Sequence, residues 1–149
     1  MSGLSFGEIP LESIEPGMVA SYSQTITDAD IRAYAGLSGD HNPVHVDAEY
    51  ASESRFGKRI AHGLMSAGFF SALFAMRLPG PGCVYVAQSL YFKRPVYIDD
   101  TVKATVTVTS VDIANRRVFF ETICTVGRKI VISGEAEIYM PQAKTKEKS

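Results

Sequence analysis

The chain has 149 residues, 46% of them hydrophobic, and a formal net charge of -1. This length is typical of one globular domain that can sustain a core without disulfides or a structural metal. The interspersed positive and negative charges argue against a nucleic-acid partner. Cys83 and Cys124 lie in neither a metal-binding nor a redox spacing, so we expect two reduced, largely buried thiols.

Residues 1–15 are predicted to be a polar lead-in that precedes the folded domain. They carry acids and a proline, and they lack the basic start and apolar run of a secretion signal. The longest apolar segment, residues 64–78, is too short to cross a bilayer. We therefore expect no membrane span and a location in the cytoplasm or another reducing compartment, such as the mitochondrial matrix.

The first predicted elements are a strand and a helix. Residues 18–26 alternate in a way that is typical of a strand. Thr27 and Asp30 then form a pattern related to the capping box, and apolar residues at helical spacing predict a helix over residues 28–38. Gly39 occupies the position where helices often end in a left-handed residue. The chain is therefore expected to turn sharply after this helix.

An acid and an imidazole follow in this turn. Asp40 and His45 are separated by Asn42 and Pro43, and the proline favours an extended conformation at Asn42. Asp40 and His45 then cannot share a helix face, and the turn itself sets the distance between them. Such a pair can serve as acid and base toward one small molecule. The alternative is purely structural: Asp40 caps the turn, and His45 is a half-buried histidine with a backbone partner.

A second, longer helix is predicted after a short one that Asp47 caps at residues 48–55. Residues 63–78 are apolar on every side, which is typical of a buried helix. Several of these residues are small, and we expect them to let a sheet approach closely. They are Ala67, Gly68, Ser71, Ala72 and Ala75.

The start of this long helix lacks a capping side chain. His62, Gly63 and Leu64 stand where Ser, Thr, Asp or Asn would be expected. The first amides are therefore free for another partner, and Gly63 lets a ligand oxygen approach the positive end of the helix dipole. This arrangement is typical of an oxyanion hole. The alternative is that water satisfies these amides and that Gly63 only permits a tight turn.

The rest of the chain is predicted to be β-structure. Residues 84–93, 101–109, 118–126 and 130–140 read as strands of an antiparallel sheet that covers the long helix, which gives an α+β fold. Apolar residues also occur on the second face of this sheet, so we expect it to pair with a second copy. Residues 142–149 are predicted to be a disordered tail.

Three segments of the sequence match parts of one family motif. They are the segment from Tyr34 to His45 followed by Ala51, the segment 61–65 and the segment 88–96. In these segments the sequence resembles the hydratase-2 motif of the MaoC-like (R)-specific enoyl-CoA hydratases. The resemblance covers residues 16–140. It implies a single hot-dog domain over residues 16–141, with an antiparallel sheet wrapped around a long central helix, and a homodimer. It also implies a hydro-lyase that adds water to a trans-2-enoyl thioester and forms an (R)-3-hydroxyacyl thioester in fatty-acid or polyhydroxyalkanoate metabolism.

The resemblance also implies roles for individual residues. Asp40 and His45 would hold the catalytic water, and the same pair would deliver a proton to C2. The Gly63 amide would polarise the thioester oxygen, and Ser71 would line the site. No cofactor and no metal are expected. A zinc site built from Asp40, His45, His62 and His41 is disfavoured because Pro43 breaks the helix that His41 and His45 would have to share.

Two other functions remain open from the sequence. One is a (3R)-hydroxyacyl-ACP dehydratase of fatty-acid synthesis, and the other is a non-catalytic subunit that binds acyl thioesters. A thioesterase of the same fold is disfavoured because it would not need Asp40 and His45 at one water. The basic residues that could contact the phosphates of the carrier, either CoA or acyl carrier protein, are Arg55, Lys58, Arg59, Lys93 and Arg94. The alternative is that they are solvated surface charges, which is the commoner case.

Overall fold

The computed structural model describes residues 9–142. Within this range the chain forms a short 3₁₀ helix, four α-helices and six strands. The α-helices are α1 (Asp28–Ser38), α2 (Pro43–Val46), α3 (Ala48–Glu53) and α4 (Gly63–Met76). The strands are β1 (Val19–Thr25), β2 (Val84–Gln88), β3 (Tyr91–Phe92), β4 (Thr101–Asp112), β5 (Arg117–Val126) and β6 (Lys129–Tyr139).

The strands form one antiparallel sheet around α4. Their order is β1-β4-β5-β6-β2, and β3 continues along the same edge of β6 as β2. The long helix α4 packs against β1, β4, β5 and β6. The predicted α+β architecture, a sheet around a long central helix, is confirmed.

Alternation along β4 determines which face of the sheet is the core. Val102, Ala104, Val106 and Val108 are buried, while the residues between them are more exposed. Successive side chains of a strand point to opposite faces, so this pattern directs one apolar face toward α4. On the helix, Phe70, Leu73 and Phe74 are among the buried residues that meet it.

The entry into α1 has the predicted capping. Thr27 accepts a hydrogen bond from the Asp30 amide, and the Asp30 carboxylate accepts one from the Thr27 amide. Gly39 ends the helix with a φ of 81°, a left-handed conformation that glycine adopts without steric cost. The sharp turn that follows α1 therefore has a local cause.

The predicted lead-in and the long helix are each buried at only some of their residues. In the lead-in, Leu11 is 1% exposed and Ile14 4% exposed, so these two side chains join the core, while Pro10, Glu12, Ser13 and Glu15 are exposed. The long helix is buried on one face only. Its small residues Gly68, Ser71, Ala72 and Ala75 are exposed, and Ala67 alone of the five predicted small contacts is buried. A helix that is apolar all round gives no sign of which face the sheet covers.

Among residues 9–142, no helix is long and apolar enough to cross a membrane. Residues 1–8 of the predicted lead-in and residues 143–149 of the predicted disordered tail lie outside the described residues.

Candidate active site

A cavity of about 440 Å³ lies between the turn after α1 and the beginning of α4. Its wall contains Asp40, His45 and Gly63, so the structure brings these three predicted site residues together. Apolar side chains contribute most of the remaining wall, among them Phe56, Leu64, Phe92, Val96 and Ile132. A mainly apolar cavity with a few convergent polar groups is the usual form of a small-molecule site.

The turn that holds Asp40 is stabilised by hydrogen bonds between residues that are close in sequence. The Asn42 amide donates to Asp40 Oδ1 at 3.1 Å, and the Val44 amide donates to Asn42 Oδ1 at 3.2 Å. Asn42 is extended (φ -52°, ψ 125°) and caps α2, with Pro43 as the first helical residue. Asp40 therefore lies outside the helical turn that carries His45, as predicted.

His45 has one ring nitrogen fixed and the other directed toward Asp40. Its Nδ1 lies 2.7 Å from the carbonyl oxygen of Ile60, which can only accept a hydrogen bond, so Nδ1 carries the proton. Nε2 then keeps its lone pair, and it lies 4.0 Å from Asp40 Oδ2. The imidazole is buried, whereas the Asp40 side chain is 50% exposed. A single water can bridge this separation with hydrogen bonds of ordinary length.

Gly63 begins α4 without a capping side chain. Within residues 9–142, no group accepts a hydrogen bond from its amide. A side chain at this position would meet the Phe92 ring, since a Cβ would lie 2.6 Å from Phe92 Cδ1 and Cε1. A side chain at this position would therefore displace the Phe92 ring or the start of the helix. The Gly63 amide is available at the positive end of a 14-residue helix.

His62 joins the two parts of the site, and its sequence context predicted no role for it beyond a disfavoured zinc site. It is 2% exposed, and its Nε2 lies 2.9 Å from the carbonyl oxygen of Asp40. Its ring stacks on the ring of His45 with 3.8 Å between centroids and 29° between planes. Burial lowers the pKa of His62 from 6.5, so the imidazole is neutral near pH 7. A polar residue at an uncapped helix start, directly before Gly63, was the available signal.

Asp40, His45 and His62 form the group best suited to hold a metal, since one ligand atom from each lies within 4.8 Å of the others. The geometry does not favour coordination. Imidazole lone pairs lie in the ring plane, and two nearly parallel stacked rings do not direct them at one point. His62 Nε2 is also engaged with the carbonyl of Asp40. His41 is not part of the group.

The other predicted residues divide into two sets. Arg55, Lys93 and Arg94 line the cavity, so they remain candidates for contacts with carrier phosphates. Arg59 instead binds the Asp28 carboxylate at 2.7 Å and the His45 carbonyl at 2.6 Å. Lys58 lies over the Tyr97 ring.

Ser71 is not brought to this cavity. It lies two turns along α4 on the exposed face of the helix, and it is absent from the cavity wall. Its expected place in the site stays a prediction.

Known proteins with similar sequences and structures support one family. A family model described as a MaoC like domain matches residues 11–135. An (R)-specific enoyl-CoA hydratase from Rhodospirillum rubrum is 54% identical over 130 residues, which cover 87% of this chain and 90% of the relative. A 3-hydroxybutyryl-CoA dehydratase from Methylorubrum extorquens is 40% identical over 131 residues, which cover 88% of this chain and 83% of the relative.

Among solved structures, an (R)-hydratase from A. caviae involved in PHA biosynthesis superposes with a TM-score of 0.85. It is 37% identical, and the match covers 87% of this chain and 99% of that structure. The fold is therefore the hot-dog fold implied by the sequence motif. On the family match and these relatives, the chain belongs to the MaoC-like domain family.

Proposed function

We propose that the protein catalyses the (R)-specific hydration of trans-2-enoyl-CoA to (R)-3-hydroxyacyl-CoA, and the reverse dehydration. The observation that carries this proposal is that Asp40 Oδ2 and His45 Nε2 face each other, 4.0 Å apart, in a cavity whose wall holds the Gly63 amide, which has no acceptor within residues 9–142. The similarity to an (R)-specific enoyl-CoA hydratase supports the same reaction. Fatty-acid or polyhydroxyalkanoate metabolism is the expected setting.

The reaction follows from the three groups. A water held between Asp40 and His45 Nε2 bonds through its oxygen to C3 of the enoyl group, and its proton passes to the acid/base pair. The electrons of the C2–C3 double bond move onto the thioester oxygen, where the Gly63 amide stabilises the developing negative charge. The pair then returns one proton to C2 as the carbonyl re-forms. Hydroxyl and proton come from one side, so the addition is syn.

The enzyme needs no further group for this chemistry. The thioester acidifies its own α-carbon, and the protein contributes positioning and electrostatic stabilisation. The pair acts on a water at C3, not on the carbonyl carbon, which favours hydration over thioester hydrolysis.

The test is a direct assay with crotonyl-CoA. We expect its ultraviolet absorbance to fall as the double bond is hydrated, and an (R)-specific 3-hydroxyacyl-CoA dehydrogenase to oxidise the product. A non-catalytic acyl-thioester-binding subunit would leave the absorbance unchanged while the ligand raised its melting temperature. An (S)-product, or free CoA without hydration, would overturn the proposal.

Parallel assays with substrates that differ in carrier and acyl-chain length identify the preferred carrier and chain length. CoA is the proposed carrier because the relatives reported above act, by name, on CoA thioesters. Four-, eight- and twelve-carbon enoyl groups are compared on CoA and on acyl carrier protein. A higher kcat/KM on acyl carrier protein would instead favour a (3R)-hydroxyacyl-ACP dehydratase.

We also propose a homodimer formed at the β2/β3 edge of the sheet. Val84, Tyr85 and Val86 are 44%, 38% and 43% exposed, and the outer edge of this strand has no neighbour in the described chain. An exposed apolar edge strand is a strong site for association. Phe92 belongs to this edge and also to the cavity wall, so a second copy would lie beside the active site.

Analytical ultracentrifugation tests the dimer. The wild-type chain should sediment as a dimer, and Val86→Lys should shift it toward monomer because a charge would be desolvated at the edge. Val19→Lys, on the opposite edge of the sheet, is the matched control and should leave the dimer intact. A monomeric wild type, or dissociation by the control alone, would contradict the proposal.

We infer that the protein works in a reducing compartment, with the cytoplasm as the first choice. Cys83 and Cys124 are both free, and burial raises the pKa of the Cys124 thiol to about 12. Free thiols are typical of compartments that keep cysteines reduced, which supports this location. Fractionation of cells that produce the full-length chain tests the compartment, and recovery in an oxidising compartment would overturn the inference.

A further inference from the structure

We propose that His62 is a positioning residue that fixes the acid/base turn to the beginning of α4, so that Asp40, His45 and the Gly63 amide keep one mutual geometry. The proposal rests on the proposed hydration reaction, in which a water at C3 and an oxygen at the Gly63 amide must be engaged at the same time. The acid/base groups and the amide come from separate segments, and His62 contacts both.

The contacts of His62 carry the argument. Its backbone directly precedes Gly63 and is the N-cap position of α4. Its side chain reaches back across 22 positions of sequence to the carbonyl of Asp40, at 2.9 Å. The flat face of the same ring lies against His45. One residue therefore touches the acid by a hydrogen bond, touches the base by stacking, and is covalently joined to the oxyanion donor.

The hydrogen bond also determines the tautomer. A carbonyl oxygen only accepts, so His62 Nε2 carries the proton and donates a hydrogen bond to the backbone carbonyl of Asp40. His62 Nδ1 is then an unprotonated acceptor, and it is buried without a protein partner within residues 9–142. His45 has the opposite tautomer, because its Nδ1 donates to Ile60. The two stacked rings therefore hold their carbonyl-bound protons on different nitrogens, Nε2 in His62 and Nδ1 in His45.

Charge on His62 would disturb this arrangement. A second proton, on Nδ1, would be a buried donor without an acceptor, and it would place positive charge against the base His45. The titratable groups that face His62 are Tyr34 from α1, Asp40 and His41 from the turn, and His45 from α2. Of these groups only Asp40 favours the charged form of His62, and the desolvation caused by burial outweighs its effect.

The first test separates the contribution of the His62–Asp40 hydrogen bond from that of ring stacking on His45. His62→Phe keeps a ring that can stack on His45 but removes the donor to Asp40. We expect kcat for crotonyl-CoA hydration to fall about 10- to 100-fold, with KM changed less than about 3-fold, because misplaced groups slow the chemical step more than binding. His62→Gln restores an N–H at nearly the same reach, and it should recover part of the loss. His41→Phe, at an exposed histidine of the same turn, is the matched control and should keep wild-type kcat.

The second test asks whether His62 acts through Asp40. Groups that work as one unit give losses that do not multiply. The double variant Asp40→Asn/His62→Phe should therefore be no more than a few-fold slower than Asp40→Asn alone. Multiplicative losses, a His62→Phe kcat within about 3-fold of wild type, or a Gln variant no better than Phe would each overturn the proposal.

A third measurement uses the wild-type protein and does not depend on how a variant folds. Nitrogen-detected NMR of the histidine rings distinguishes the two neutral tautomers and the charged form. We expect His62 as the Nε2–H tautomer and His45 as the Nδ1–H tautomer near pH 7. A charged His62, or an Nδ1–H tautomer there, would overturn the positioning role even if hydration is confirmed. If crotonyl-CoA is not hydrated at all, the proposed function fails, and the tautomers still report on the geometry.

Discussion

The two parts of the active site are held in different ways. The turn with Asp40 is maintained by neighbours in sequence, since Gly39 turns the chain, the Asn42 amide binds the carboxylate, and Asn42 caps the next helix. The beginning of α4 has no such local support, and its Gly63 is enclosed by Phe92 from a distant strand. A polar turn can stabilise itself, whereas a bare helix end depends on tertiary structure for its shape and its partner.

These two kinds of support predict different effects of substitution. Substitutions in the turn should remove chemical groups or local caps, with effects that can be predicted one residue at a time. Substitutions at the helix start should act through packing, so that a second change in the neighbour can modify them.

The largest effect is expected from the acid/base pair itself. Asp40→Asn and His45→Ala should each lower kcat for crotonyl-CoA about 10²–10⁴-fold, because each removes a proton-transfer group. Circular dichroism and sedimentation should remain those of the wild type, since the turn keeps its backbone. His41→Ala serves as the control. Hydration at the wild-type rate in either variant would remove that residue from the mechanism.

The next largest effect is expected from a substitution that disturbs the packing at the start of α4. Gly63→Ala places a methyl group 2.6 Å from the Phe92 ring, so either the ring or the helix start must shift. We expect kcat to fall about 10²-fold, near the lower range for the loss of one oxyanion donor. Thermal stability should change little, because the half-exposed ring of Phe92 can move.

A neighbouring substitution sharpens this prediction. In Gly63→Ala/Phe92→Ala the clash is gone, so kcat should rise toward that of Phe92→Ala alone, measured as the control. If kcat of the double variant stayed as low as that of Gly63→Ala, the methyl group would lower kcat by obstructing the substrate and not by displacing the Phe92 ring.

A smaller effect is expected from the local cap of the turn. Asn42→Ala removes the side-chain acceptor for the Val44 amide and should lower the free energy of unfolding by about 1 kcal/mol. Urea denaturation at fixed protein concentration measures this. Ser54→Ala, which removes a hydrogen-bonding side chain from the end of another helix and lies away from the acid/base turn, is a useful comparison for activity. Equal stability of the Asn42 variant and wild type would show that the turn does not depend on its cap.

The smallest effect is a pH dependence of stability at His62. Its pKa is lowered in the folded protein, chiefly by burial, relative to 6.5. As pH falls below that value, the unfolded chain takes up a proton that the folded chain excludes, so the free energy of unfolding decreases. His62→Phe lacks this titration, and its melting temperature should therefore fall less than that of wild type between about pH 7 and about pH 5.5. Parallel melting curves for the two proteins would contradict this assignment.

Much of the fold could be predicted because its causes are local. The capping box at Thr27, the left-handed Gly39 and the alternation of β4 each follow from a few adjacent residues. The burial of Leu11 and Ile14 could not be predicted in this way, since they are isolated apolar residues in a largely polar stretch and join a core whose other residues are distant in sequence.

By itself, the sequence determined the acid/base turn, the missing cap of α4 and the β-rich second half, because backbone preferences and periodicity act over short distances. Tertiary structure alone decided that Ile60 fixes the tautomer of His45, that Phe92 encloses Gly63 and that His62 binds Asp40. These contacts join residues that are 15 to 29 positions apart, and each forms only when separate segments of the folded chain meet. A local pattern of residues does not specify which segments meet, so it could not predict the contacts.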